Sequence, residues 1–326
     1  MKKITSVVAS VLLVALLLAG CGTSNPANTA NPANSSGNSQ AGNKKIGALW
    51  STTSIPPVQV IINKAEQDAK TAGAEIVNMD AQFDPFTQAT QAKNLLSQRV
   101  GAVLVNVIDP EGIVPSLKQF HDAGIPVIIG TLPVSKQADP YITSFVGPDN
   151  IAAGKLAGEL MAEALGSAGG NVVIIEGAPG ITVQDRTAGF KEGLQGKNIN
   201  VLNIQTSQWD RAKALSIMQD FLSKYPDLNG VFVHNDDMAM GAIQAIKQAG
   251  KTDQVKVIGF GGTKEAVKAL EQGDMYGTVT EDLVWTAQKE IEAALAAIEK
   301  KPVEKAIYVP TGKLTRANLA GYTPTY

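Results

Sequence analysis

The chain has 326 residues, 28 Lys and Arg against 30 Asp and Glu, a formal net charge of −2, one cysteine and 5% aromatics. That balance lacks the basic footprint of a nucleic-acid binder, so no nucleic-acid partner is expected. A single cysteine excludes a disulfide within the chain.

The first residues read MKKITSVVASVLLVALLLAGCGT. Lys2 and Lys3 are basic, Val7 to Ala19 is apolar apart from Ser10, and Leu18, Ala19 and Gly20 lead into Cys21. This is the layout of a secretory signal. The apolar run is shorter than the about 20 residues that spanning a membrane requires. Leu-Ala-Gly-Cys at 18–21 resembles the lipobox of bacterial lipoproteins. The resemblance implies cleavage before Cys21, a diacylglycerol on its sulfur and acylation of the new amino terminus. Two or more acyl chains give stable anchoring where one is marginal. Residues 1–20 are then a signal peptide, and the protein is lipid-anchored to the cell membrane outside the cytoplasm. Residues 21–43 are the lipidated cysteine and a tether, since Gly22 to Asn43 has no charge, aromatic or large aliphatic residue. Such a segment buries too little apolar surface to order itself. Its r.m.s. reach is roughly 25 Å.

Residues 44–326 are long for one core and suit two domains. Short apolar runs recur at 45–50, 74–79, 102–108, 126–130, 171–176, 199–204, 230–235 and 255–260. Most are continuous rather than alternating, as parallel strands covered on both faces should be. Between them lie helical patterns: 58–73, with Ile61, Ala65, Ala69 and Ala72 on one stripe, then 87–99, 211–225 and 238–250. Gly73, Gly124, Gly250 and Gly273 sit where helices end before the next strand. Strand–helix alternation of this kind predicts parallel α/β sheets.

Ligands on such sheets bind beyond the carboxyl ends of the strands. The segments there include 50–57, 106–110, 130–133, 176–186, 206–210, 234–237, 259–263 and 280–285, and they hold all three tryptophans, Trp50, Trp209 and Trp285. For any one tryptophan, core packing explains the position equally well. Trp285, inside a helical pattern, is read as packing.

VFVHNDDMAMGAIQAIKQAG followed by VKVIGFGGT, with TSQWDRAKAL and QDRTAGFKEGL upstream, resembles the ribose-binding group of type I periplasmic binding proteins. The resemblance covers nearly all of residues 44–326. It implies two similar Rossmann-like parallel-sheet lobes with crossovers near Pro148, Glu281 and Thr311, and a small solute held between them. The lobes would be 44–148 plus 282–311, and 149–281 plus 312–326. It further implies that Arg186 hydrogen-bonds sugar oxygens, Trp209 covers an apolar sugar face, Asn235 pairs with hydroxyls, and Glu281 is a polar hinge group. Asp236 is read as the N-cap of a helix from Met238, and His121 and His234 as structural.

Three places depart from the group. Ile55-Pro56-Pro57-Val58 stands where relatives carry Asn-Pro-Phe-Phe, Thr131-Leu132 where they carry Asp-Arg, and Gly261 where they carry Asp. The loss of two carboxylates argues against an ordinary pentose or hexose held in the usual way, and Gly261→Asp is expected to restore one of them. Trp50 and the hydroxyls of Ser51, Thr52, Thr53 and Ser54 are taken to furnish the first-lobe half. The expected function is a solute receptor for an ABC importer, delivering a sugar-like ligand to a membrane permease as a monomer. The alternative is a sensor subunit presenting its ligand to a chemoreceptor or membrane kinase. No Gly-x-Ser-x-Gly elbow, phosphate loop ending in Lys-Ser/Thr or zinc spacing is present, so neither enzymatic activity nor a cofactor or metal is expected. Regulators of the lactose-repressor type share the fold but place a DNA-binding segment ahead of the first lobe, where this chain has its signal and tether.

Overall fold

All eight apolar runs form strands. In the computed structural model, which describes residues 44–326, the order begins β1 (Lys45–Trp50), α1 (Pro56–Thr71), β2 (Glu75–Asp80), α2 (Pro85–Ser97), β3 (Ala102–Asn106), α3 (Val114–Asp122), β4 (Val127–Gly130) and β5 (Ser144–Gly147). It continues α4 (Asn150–Leu165), β6 (Gly170–Glu176), α5 (Ile181–Gly193), β7 (Ile199–Thr206), α6 (Arg211–Lys224), β8 (Leu228–Val233) and α7 (Asp236–Gln248). Last come β9 (Lys256–Gly261), α8 (Lys264–Gln272), β10 (Gly277–Glu281), α9 (Leu283–Ile298), β11 (Ala306–Tyr308) and β12 (Thr311–Thr315). The signal, Cys21 and the tether lie outside the described residues. Among the described residues no helix is long and apolar enough to cross a membrane.

The strands make two six-stranded sheets, ordered β11-β5-β4-β3-β1-β2 and β12-β10-β9-β8-β6-β7. All pairings are parallel except β10 with β12, so the second sheet ends in an antiparallel edge. The chain passes between the sheets three times. α4 follows β5 but packs on α5 of the second sheet; α9 follows β10 but packs on α1 of the first; β11 and β12 add one edge strand to each.

Both faces of each sheet are covered, which is why the strands read as unbroken apolar runs. Strand side chains alternate between the faces. In β1, Ile46, Ala48 and Trp50 join α1 and α9, whereas Leu49 joins α2 and α3. In the second sheet, one face packs on α4 and α5 and the other on α6, α7 and α8. The four capping glycines at 73, 124, 250 and 273 all have φ between 66 and 80°, the left-handed conformation that lets a helix close its last carbonyls. The stripe of α1 ends earlier than its sequence pattern: Ile61, Ala65 and Ala69 are buried, but Ala72 is the exposed C-cap.

Candidate ligand-binding site

Arg186 anchors the second-sheet side. It lies on α5, and α5 sits close on α4 because both contribute glycines; a Cβ at Gly154 would collide with the Arg186 backbone carbonyl. Arg186 is only 4% exposed. Its Nη1 donates to the His234 carbonyl at 2.5 Å and its Nη2 to Asn150 Oδ1 at 2.7 Å. The guanidinium lies over the Phe260 ring, 3.6 Å from its centroid, a favourable place for a desolvated cation. The buried Nε–H has no partner. Burial lowers the pKa to about 10 while Glu281 opposes the shift, so the group stays charged at neutral pH.

Glu281 ends β10, where the chain leaves for α9. Burial raises its carboxyl to about 7, and Arg186 pulls the other way. His234 is fully buried, its Nε2 3.2 Å from Thr187 Oγ1, and Thr187 donates its own proton to Glu176. Nε2 must therefore carry the hydrogen. Burial, and then Arg186, hold the ring well below its ordinary pKa, so it is neutral.

The capping role read for Asp236 belongs to Asn235. Helix α7 starts at Asp236, and Asn235 is its N-cap, accepting from Met238 N–H at 2.8 Å. The Asn235 amide NH2 remains for a ligand, while Oδ1 already holds the helix. Asp236 is 1% exposed and accepts from Thr263 N–H at 3.0 Å and the Thr278 hydroxyl at 2.7 Å, bracing the turn after β8 against the turn after β9 and against β10. A side-chain oxygen two residues beyond a strand serves as cap or as cross-brace according to where the helix begins, which the sequence leaves open by one residue.

Trp209 follows β7 with a φ of +64°. Its indole lies against Gly177, where a Cβ would overlap the ring, and packs on the α6–α8 core. It thus combines a packing role with a place at the strand ends.

The first-sheet side differs from expectation. Trp50 is 1% exposed, and its indole N–H donates to Asn78 Oδ1 at 2.8 Å. It packs in the core cluster of β1, α1 and α9 with its indole N–H engaged; period-two alternation puts it on the helix face with Ile46 and Ala48. Thr53 donates to Asp80 at 2.7 Å, and exposed Ser54 shares a 2.7 Å hydrogen bond with Thr52. Thr53 can still accept from a ligand, but its proton is engaged. Val58 is in the core. Asn106, at the end of β3, holds the rim together: its amide donates to Thr131 Oγ1 at 2.7 Å and its carbonyl side accepts from Ser51 N–H at 3.4 Å.

Position 261 also departs from expectation. Gly261 has a φ of +137°, and a Cβ there would stand 3.0 Å from an Asp236 carboxylate oxygen. An aspartate would be strained and would set a second carboxylate beside a buried one, so Gly261→Asp does not simply restore a sugar contact. Among the described residues no group of three or more His, Cys, Asp or Glu could hold a metal.

Residues 46–302 match the model of the periplasmic binding protein domain. The chain belongs to this family. Within it, it is of the type I ribose-binding group, a binding protein and not an enzyme. It is 32% identical over 315 residues to the ribose import binding protein of Bacillus subtilis, covering 95% of this chain and 98% of that protein. Two solved ABC transporter solute-binding proteins share its fold. One, from Bacillus halodurans with bound myo-inositol, has a TM-score of 0.81 at 28% identity, covering 88% of this chain and 100% of that one. The other, from Actinobacillus succinogenes with bound D-allose, has a TM-score of 0.80 at 27% identity, covering 85% and 99%.

Sequence reasoning did not single out Asn150, Phe260 or Asn106 in this binding protein. Phe260 and Asn106 stand in strand-end segments, so position pointed to them. Asn150 reaches Arg186 only because α4 crosses to the second sheet, which no local pattern encodes.

Proposed function

We propose that this binding protein is an extracytoplasmic lipoprotein of an ABC importer that captures a small, neutral, polyhydroxylated ligand between two lobes and delivers it to the permease. The lobes are residues 44–148 plus 282–311, and 149–281 plus 312–326. The observation that carries the reading is Arg186: a buried guanidinium at the strand ends, fixed by His234, Asn150 and Phe260, with an Nε–H that has no partner. Leaving a buried donor unpaired costs roughly 1–3 kcal/mol, which an incoming acceptor oxygen removes. Glu281, Asn235 and Trp209 complete this side with an acceptor, amide donors and a flat apolar ring. The ribose, D-allose and myo-inositol named with its relatives are of the same chemical class. Family membership supports work outside the cytoplasm, and Cys21 supports attachment there by lipid.

The test is titration calorimetry of the purified chain with D-ribose, D-allose and myo-inositol. At least one should bind, and Arg186→Ala should weaken it ten- to a hundredfold. Parent-like binding by Arg186→Ala would sink the pocket. In cells, Cys21→Ala should abolish palmitate labelling; normal labelling would remove the lipid anchor. Ligand should also reduce the radius of gyration as the lobes close.

A further inference from the structure

The segment after β12 returns across the strand ends of the second sheet. Tyr322 Oη donates to the Gly262 carbonyl at 2.8 Å, and Lys264 N–H donates to the Tyr326 carbonyl at 2.8 Å. These bonds fix the segment to the turn between β9 and α8. The Tyr326 side chain then reaches the other sheet. It packs against the core cluster of β1, α1 and α9, which holds Trp50, Val58 and Leu283. Its hydroxyl stands beside Gly261, where a Cβ would be 3.4 Å from the phenol oxygen. Arg186, Glu281 and Asp236 all act electrostatically on or with this phenol. Tyr326 is thus tied by its backbone to one sheet and by its ring to the other, with its polar end at the groups already assigned to the ligand.

We infer that Tyr326 is a specificity-determining residue of the binding site, forming part of its wall and donating its hydroxyl proton to an acceptor oxygen of the ligand. Position 261 has no side chain, and the phenol oxygen lies in van der Waals contact with where its Cβ would stand. A carboxylate in that space would accept from two hydroxyls; a neutral phenol offers one donor. Burial, reinforced by Glu281 and Asp236, pushes the phenol's pKa well up, so it keeps its proton. Arg186 adds donors only, while Glu281 beside them can accept. With Arg186 and Tyr326 both donating, this corner suits a ligand acceptor such as a ring ether or carbonyl oxygen better than a carboxylate at 261 would, while Glu281 still serves a hydroxyl.

This inference rests on the ligand-binding reading of Arg186, and the experiment separates the two. Affinities for D-ribose, D-allose and myo-inositol are measured for the parent, Tyr326→Phe, Tyr326→Ala and Arg186→Ala, with melting temperatures in the absence of ligand. Tyr326→Phe keeps the ring and should leave the ligand-free melting temperature unchanged while weakening the best of the three about tenfold. Tyr326→Ala should weaken it at least as much and narrow the parent's preference among the three. If Arg186→Ala loses binding while both Tyr326 variants stay within twofold of the parent, the tyrosine inference alone is overturned. Tighter binding by Tyr326→Ala also overturns it, because the ring would then obstruct the cleft rather than line it. Parent-like binding by Arg186→Ala, or a parent that binds none of the three, overturns the inference together with the pocket reading.

Discussion

The two sheets have the same strand order and exchange equivalent elements, yet their strand ends are chemically unlike. At the first, polar groups satisfy one another: Asn106 with Thr131 and Ser51, Thr52 with Ser54, and Thr53 with the Asp80 carboxylate. At the second, a buried cation, a carboxyl raised by burial and an unpartnered N–H stand together. The first half has a buried carboxyl too, Glu290 on α9, set against Gly130 at the end of β4 with Oε2 unpartnered. Similar topology thus builds a self-contained rim on one side and a rim with unused donors on the other. Burying an unpaired polar group is costly, so its place in a fold is informative. On the proposed reading an incoming ligand offsets the cost at Arg186, whereas Glu290 is given no such role.

The largest expected effect tests that contrast at Glu290. Burial raises its folded pKa to about 8 from an ordinary 4.5. The folded state therefore holds a proton that the unfolded chain releases above pH 4.5. Stability falls as pH rises from 4.5 to 8, and is unaffected by this group at lower pH. Glu290→Gln should remove the loss, stabilising the protein by roughly 2–3 kcal/mol at pH 7 and by nothing measurable near pH 4. Denaturation at both pH values checks it; an equal gain at both would show that ionisation is not the cause.

On the second side, Gly154→Ala should force α4 from α5 at the Arg186 carbonyl. Overpacking of this kind costs about 1–3 kcal/mol, and here it should also weaken ligand binding, because it displaces the helix that carries the guanidinium. Unchanged affinity with reduced stability would uncouple packing from the site.

Trp209→Ala should lower affinity about tenfold and, since the indole also covers Gly177 and the core, lower the ligand-free melting temperature. Calorimetry and a melt of the same sample report both. The smallest effect belongs to the first rim: Thr53→Val should change affinity by about threefold or less, since its hydroxyl already serves Asp80 in a partly exposed setting. A large loss there would mean that the two rims share the ligand evenly.

Much of this was written in local sequence. Continuous apolar runs gave the strands because both sheet faces are covered, and the glycines after the helices gave their ends because only glycine takes that backbone freely. Arg186, Trp209, Asn235 and Glu281 are the proposed ligand groups because strand-end position and family resemblance converge on them. The alternation of Trp50 with Ile46 and Ala48 is a local sign of the buried face it occupies, which the position of Trp50 at a strand end does not reveal. The short strands β5, β11 and β12 escaped notice, being three to five residues long with little pattern of their own. Tertiary structure alone decided that Asn150 braces Arg186, that Asp236 links the turns after β8 and β9 to β10, and that Tyr326 reaches the groups around position 261. Local sequence specifies which residues favour strand, helix or turn. Which polar groups meet across 36, 42 or 65 positions depends on how the sheets exchange their helices and edges, and that is fixed only when both cores pack.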